Sequence, residues 1–197
     1  MRQRKLEMLL EKVRRFERPF LKLEQYVTPP RLAAKLLYLA YMKGDIEGKK
    51  VVDLGCGTGI LAIGSALLEG VTTGVDVDNQ ALDVARINAR EFDVDITWVN
   101  SSVEEFQGDF DTIIMNPPFG AQRKGQDRPF LKRAFLLGST VYMIQNAVSE
   151  SFVRTFSAPN LITDLVRLKF PIAHTFKFHK KEITYIDVIL FRMERAA

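Results

Sequence analysis

Near the start of the chain apolar residues recur with a helical period. Leu6, Leu9, Leu10, Val13 and Phe16 fall on one stripe, with basic residues opposite. This predicts an amphipathic helix that ends at Pro19 or shortly before it. Residues 23–30, LEQYVTPP, are irregular and punctuated by two prolines. A second helix is predicted over 31–42, with Leu32, Leu36, Leu37 and Ala40 turned inward and Gly44 closing it. From there strands and helices alternate. Short apolar runs at 51–54, 71–75, around Ile96 and Trp98, at 110–115 and at 140–144 read as strands. Helical patterns cover 60–68, 80–92 and 129–137, and a shorter one covers 150–156. Two long alternating segments, 162–170 and 182–193, close the chain as an antiparallel hairpin joined through PIAHTFKFHKK. Strand–helix alternation of this kind builds an α/β fold with a mostly parallel sheet and helices on both faces.

Open sheets of this class bind ligands beyond the carboxyl ends of their strands. The chemistry-bearing residues fall at those ends. After the first strand comes VVDLGCGTGIL, with Gly55, Gly57 and Gly59 at two-residue spacing. Glycines there admit positive φ and close approach of a ligand, and the following helix offers free N–H groups. The spacing is not the Gly-x-Gly-x-x-Gly of dinucleotide binding. Asp53, just before the loop, would repel a pyrophosphate and suits a cationic or amino-rich ligand. Asp76 ends the second strand, 17 positions after Gly59, where an acid can accept hydrogen bonds from both hydroxyls of a ribose. The competing reading makes Asp76 the cap of the next helix, with Asp78 and Asn79 as rivals for that task. Ser101 and Ser102 follow the third strand.

The fourth strand leads into Asn116, Pro117, Pro118 and Phe119. Asn116 offers a side-chain carbonyl, and Pro117 offers a main-chain carbonyl on a backbone of fixed φ. Two acceptors converging on one NH₂ group fix its orientation, and Phe119 adds a face on which a ring can stack. The same residues also make an ordinary turn.

A chain of 197 residues, 47% hydrophobic and 26% charged, is long enough for one domain with a sizeable core. No apolar run reaches the roughly 18 residues of a membrane span, and the N-terminal residues show no apolar signal region. One cysteine, Cys56, excludes an intramolecular disulfide, so a reducing, cytoplasmic setting is expected, with the thiol as a small filler between two glycines. With two histidines and one cysteine no metal site is expected. The net charge of +4 permits a polyanionic partner. Its distribution is more informative. Residues 1–24 hold eight Lys or Arg against four Glu, and residues 167–181 hold five basic residues and no acid. Arg123, Lys124, Arg128, Lys132 and Arg133 follow NPPF. These clusters are either phosphate contacts or solvated faces.

The glycine loop, the ribose acid and NPPF, in this order and spacing over about residues 51–145, resemble the class I S-adenosylmethionine-dependent methyltransferases. The resemblance implies a Rossmann-like, seven-stranded sheet and S-adenosyl-L-methionine as cofactor. LEQYVTPP, NPPFG, FLKRA and FKFHKK extend it over nearly the whole chain and are similar to the methyltransferase-like protein five family, which places N6-methyladenosine in small-subunit ribosomal RNA. That likeness implies a single domain over 1–197, with 1–48 as a helical extension and cofactor lid and 49–197 as the core. Gln25, Tyr26 and Thr28 would fold over the cofactor. Asp53, Gly55, Gly57, Thr58, Gly59, Leu61, Asp76, Ser102, Val103 and Asn116 would line its site. Asn116 to Phe119 would hold the adenine, with Arg123, Lys124, Phe178, His179, Lys180 and Lys181 toward RNA. Where the family carries an acid after the third strand, this chain has Ser101 and Ser102. A small zinc-binding activator protein is implied along the third strand, at Ile96 and Trp98, where Trp98 is either exposed for pairing or tucked beneath a helix. Two alternatives remain open from the residues: methylation of a protein glutamine amide, and a cofactor-binding RNA or ribosome-assembly factor with little turnover.

Overall fold

The strands are β1 (Lys50–Leu54), β2 (Val71–Asp76), β3 (Ile96–Asn100), β4 (Phe110–Met115), β5 (Gly138–Asn146), β6 (Leu161–Ile172) and β7 (Thr184–Glu194). In the computed structural model they form one seven-stranded sheet ordered β3-β2-β1-β4-β5-β7-β6. The structure describes residues 1–16, 28–119, 125, 127–172 and 184–196. Gln25, Tyr26, Arg123, Lys124, Phe178, His179, Lys180 and Lys181 lie outside the described residues. The pairs β1–β2, β2–β3, β1–β4 and β4–β5 are parallel. β7 runs antiparallel to both β5 and β6, as the alternating C-terminal segments predict.

Each strand alternates its side chains between two packed layers. On one face, Val51, Ile114, Tyr142, Ile144 and Leu190 meet the helices α1 (Gln3–Leu10), α2 (Pro30–Met42) and α3 (Ile60–Ala66) through Leu6, Leu10, Leu36, Leu37 and Ile63. On the other, Val52, Leu54, Ile113, Met115, Val141 and Phe191 meet Leu131, Ala134 and Leu137 of α5 (Asp127–Leu137) and Val153 of α6 (Glu150–Ser157). Burying one such side chain contributes about 1.5–3 kcal/mol before entropy is counted. The remaining α-helix of the described residues, α4 (Asn79–Glu91), flanks β2 and β3. α2 ends as its composition predicts. Gly44 takes φ +77°, its N–H reaches the carbonyl of Tyr41, and Asp45 N–H reaches that of Ala40.

α1 is shorter than its apolar stripe. It stops at Leu10, although Val13 is still buried. A tertiary demand accounts for the early end. Arg14 N–H donates to Asn88 Oδ1 at 3.0 Å, and Asn88 Nδ2 donates to the Arg14 carbonyl at 3.2 Å. Both main-chain groups of Arg14 are thereby taken by α4 instead of by a continuing helix.

At the lower end of the strands, Arg192 Nε donates to Asp45 Oδ2 at 2.9 Å and to Tyr142 OH at 2.8 Å. This buried network fastens the exit of α2 to β5 and β7, away from the strand ends that carry the motifs.

β3 is an edge strand, but Trp98 is not displayed along it. The indole lies across β2: an ideal Cβ on Gly74 would stand 2.3 Å from Trp98 Cζ3, and one on Gly59 would stand 2.8 Å from Cη2. Of the two placements left open from sequence, full exposure along the edge does not hold. The ring is half-buried because two glycines leave it a slot. Gly74→Ala should overpack that slot and cost about 1–3 kcal/mol. Urea unfolding followed by Trp98 fluorescence checks this, and an unchanged midpoint contradicts it.

Candidate active site

β1 pairs with β2 on one side and β4 on the other, and Leu54 stands opposite both Val75 and Met115. The next residues along the three strands are Gly55, Asp76 and Asn116. They leave the sheet side by side, at the point where strand order reverses.

The glycine loop folds back on β2. Gly55 and Cys56 N–H groups both donate to the Val75 carbonyl, at 2.8 and 2.9 Å. Gly55 has φ +71° and Gly57 φ +53°, conformations a side chain resists. Space is as tight as torsion: a Cβ on Gly55 would stand 2.8 Å from Phe130 Cε1, and one on Gly57 would stand 3.1 Å from Phe16 Cζ. Two rings therefore press on the loop from α5 and from the N-terminal segment. Cys56 is buried, and burial pushes its thiol well above the ordinary range. That fits the filler role.

Asp76 carries the ribose expectation, and its rivalry with Asp78 is resolved. Asp78 caps α4, its Oδ1 accepting from Gln80 N–H at 2.9 Å. Asp76 instead accepts from Gly57 N–H at 2.8 Å through Oδ2 and from Asp78 N–H at 2.9 Å through Oδ1. Burial raises its pKa, and these N–H donors oppose the rise. A carboxylate oxygen has room for a second donor, so a diol can still be received.

Asp53 sits beneath the loop, 1% exposed. One oxygen accepts from Ala62 N–H at 3.0 Å, which serves a free donor at the start of α3. The other oxygen is buried and has no hydrogen-bond partner among the described residues. Burial is the main cause that pushes its pKa up to about 8, with the nearby Asp76 charge adding to it and the Ala62 N–H opposing it. At neutral pH Asp53 is thus largely protonated, and a cation arriving above the loop would draw the proton off.

Thr58 is buried, and its carbonyl accepts from Asn88 Nδ2 at 2.9 Å. Leu61 is 2% exposed and packs in the α1–α2–α3 core. Ser102 Oγ accepts from Glu105 N–H at 3.3 Å and serves a short turn. Val103 is buried, and its carbonyl accepts from Arg133 Nε at 3.1 Å.

In NPPF, Pro117 is buried, Pro118 is half-buried, and Phe119 is half-buried against the α1–α2–α3 core. Asn116 Nδ2 donates to Thr28 Oγ1 at 2.8 Å. Among the described residues Asn116 Oδ1 is buried and finds no hydrogen-bond partner. A buried amide oxygen left unmatched costs about 1–3 kcal/mol, and such atoms are where a ligand donor belongs.

Sequence reasoning missed Asn88, Phe16 as a loop contact and Phe130. Asn88 had a visible signal. It interrupts the apolar stripe of Ala81, Leu82, Ala85 and Ala89 on α4, and a polar residue on a buried stripe must be serving polar partners. Phe130 lies in FLKRA, and nothing local to it points at the glycine loop.

The methyltransferase small domain family matches residues 32–143. A zebrafish (Danio rerio) protein named rRNA N(6)-adenosine-methyltransferase METTL5 is 35% identical over 206 residues, covering 98% of each chain. The Drosophila melanogaster protein of the same name is 37% identical, covering 97% of this chain and 95% of its own. This chain belongs to the METTL5 family of methyltransferases. The crystal structure of a Pyrococcus horikoshii protein provisionally assigned as an RNA methyltransferase matches it with a TM-score of 0.92 and 40% identity, over 100% of this chain and 99% of that one. METTL5-family membership bears out the resemblance first read from NPPFG, LEQYVTPP, FLKRA and FKFHKK. The Rossmann-like seven-stranded sheet agrees as well.

Asp53 has a consequence for stability in this METTL5-family chain. Its pKa is higher folded than unfolded, so the folded chain holds one more proton between about pH 4 and pH 8. Stability should fall as pH rises across that window, and Asp76 adds a contribution of the same sign. Asp53→Asn should flatten the fall and raise stability at pH 8. Urea midpoints of both proteins at pH 5 and pH 8 test this, and parallel declines would contradict it.

Proposed function

We propose that this chain transfers a methyl group from S-adenosyl-L-methionine to the N6 amine of an adenosine in ribosomal RNA. The observation that carries the reading is the unmatched Asn116 Oδ1, an acceptor next to the glycine loop where a donor NH₂ fits. The names of the zebrafish and Drosophila relatives support the choice of nucleoside and RNA.

The residues present fit the cofactor. Gly55 and Gly57 carry the loop through positive φ next to the ends of β2 and β4, Asp76 can accept from a ribose, and Asp53 supplies a carboxyl below a cationic group. When bound, the cofactor supplies an electrophilic methyl on a sulfonium. The chain does the rest. Asn116 Oδ1 and the Pro117 carbonyl accept the two N6–H bonds and turn the nitrogen lone pair toward the methyl. Phe119 offers its ring to the base. As the N–C bond formed, the methyl's bond to sulfur would break with its electron pair left on sulfur, so positive charge would pass to N6, where the two acceptors would stabilise it until a proton is lost to solvent. The nitrogen then releases one proton, so no strong base needs to be held nearby. A base inside a folded RNA must first leave its stack, at roughly a few kcal/mol.

The same reading takes 1–48 as the lid of a single unit over 1–197, and assigns RNA contacts to Arg123, Lys124, Phe178, His179, Lys180 and Lys181. It places a small zinc-binding activator on the open edge of β3, where Thr97 and Asn100 are exposed. A cytoplasmic setting accords with the single cysteine. Among the described residues no helix is long and apolar enough to cross a membrane.

A glutamine amide would need the same acceptors, but it gives Phe119 no ring to stack on and the basic segments no phosphates. Labelled-methyl transfer to ribosomal RNA and to protein, followed by nucleoside mass spectrometry, should yield N6-methyladenosine. Label confined to protein would reject the reading. Asn116→Ala should reduce transfer by about a thousand-fold while S-adenosylhomocysteine affinity stays within a few-fold. Equal loss of both would make Asn116 a binding residue only.

A further inference from the structure

Asn88 lies within α4, fully buried, on a stripe otherwise made of Ala81, Leu82, Ala85 and Ala89. A buried carboxamide is costly unless its polar groups are matched, and here both ends are matched to main chain. Oδ1 accepts from Arg14 N–H at 3.0 Å, and Nδ2 donates to the carbonyls of Arg14 at 3.2 Å and Thr58 at 2.9 Å. A backbone N–H only donates and a carbonyl only accepts, so these partners allow the amide one orientation. Turned round, it would set donor against donor and acceptor against acceptor.

These bonds join segments that are far apart in the chain. Arg14 belongs to the stretch that follows α1, 74 residues before Asn88, and Thr58 belongs to the glycine loop, 30 residues before it. Just beyond Arg14, the Phe16 ring lies against the same loop: a Cβ on Gly57 would stand 3.1 Å from Phe16 Cζ. Gly57 N–H in turn donates to Asp76 Oδ2 at 2.8 Å. The loop is thus backed by a ring of the N-terminal stretch at Gly57 and by α4 at Thr58, and Asn88 fastens both. The Arg14–Glu91 ion pair beside it is exposed and contributes little. Asn88 has no exposed surface to offer a ligand, so any influence on one passes through the segments it holds.

We propose that Asn88 is a positioning residue for the cofactor. It latches the N-terminal stretch to the glycine loop, keeps Phe16 against Gly57, and so fixes the loop in the shape that receives S-adenosyl-L-methionine. The proposal rests on the cofactor assignment above and is independent of which amine accepts the methyl group.

The test measures S-adenosylhomocysteine affinity by calorimetry on the full chain, with urea midpoints alongside. Asn88→Leu keeps the bulk and loses the hydrogen bonds, and Phe16→Ala removes the ring. Val153→Ala, in the core layer on the other face of the sheet, should lower stability without touching the loop. Asn88→Leu should weaken affinity about ten-fold or more and Phe16→Ala about three-fold or more, while Val153→Ala stays within about two-fold of wild type. Combined with Asn88→Leu, Phe16→Ala should cost nothing further, because the ring has already lost its seat. Transfer to ribosomal RNA at saturating cofactor should fall less than about three-fold in Asn88→Leu, the loss appearing in the KM for the cofactor. Unchanged affinity in Asn88→Leu overturns the proposal, as do equal losses in Val153→Ala, losses that multiply in the combined variant, or a saturated rate that falls as far as affinity. Should Asn88→Leu not fold, Phe16→Ala decides: weakened affinity supports the latch, and wild-type affinity overturns it. If the wild-type chain binds no S-adenosylhomocysteine, the cofactor assignment fails. Hydrogen exchange of residues 55–59 then decides the latch alone: faster exchange in Asn88→Leu than in Val153→Ala supports it, and equal exchange overturns it.

Discussion

Leu54 pairs with Val75 on one side and Met115 on the other, and the rest of the site depends on that register. A slip of one residue in β4 would turn Asn116 to the opposite face of the sheet and break the site. The register is held because both faces of β1 and β4 are buried. Val51 and Ile114 belong to one core layer, and Val52, Leu54, Ile113 and Met115 to the other. Packing on two sides thus sets the position of three polar groups that do no packing themselves. The glycine loop, the acid of β2 and the amide of β4 meet because hydrophobic layers align the strands beneath them.

The site holds polar atoms in unfavourable states, and the core offsets them. Among the described residues Asn116 Oδ1 and Asp53 Oδ1 are buried without partners. Each such atom costs about 1–3 kcal/mol, a sizeable share of the net stability of a domain. Neither is relieved by a nearby donor, although Thr28 and Ala62 satisfy the other end of each group. In both cases the fold satisfies one atom of the group and leaves the second unmatched among the described residues. Asp53 adds an electrostatic form of the same arrangement, a carboxyl kept largely neutral until a positive charge arrives above it.

Most of the fold was legible from periodicity. β4 was read to the residue, and the turn at Gly44 and the antiparallel C-terminal pair followed from composition and alternation. Misreadings came where tertiary partners override local pattern. α1 ends early because Arg14 gives its main chain to Asn88. The placement of Trp98, left open by the sequence, is half-buried because Gly74 and Gly59 make room for the ring, and neither glycine is near it in sequence. The motif residues were found because glycine, proline and acid at strand ends carry their own physical meaning. Leu61 was named by likeness, and its side chain belongs to the core. The link from Thr28 to Asn116 could not be read at all from spacing, since it crosses 88 residues and depends on where α2 docks.

The central claim is that Asn116 and Pro117 hold an exocyclic amine in place for methyl transfer. A crystal structure with S-adenosylhomocysteine and adenosine bound tests it most directly. The account predicts N6 at about 3 Å from both Asn116 Oδ1 and the Pro117 carbonyl oxygen, facing the cofactor sulfur. Adenosine seated with N6 turned away from both oxygens, or an Asn116 amide whose NH₂ end faces the base, would contradict it.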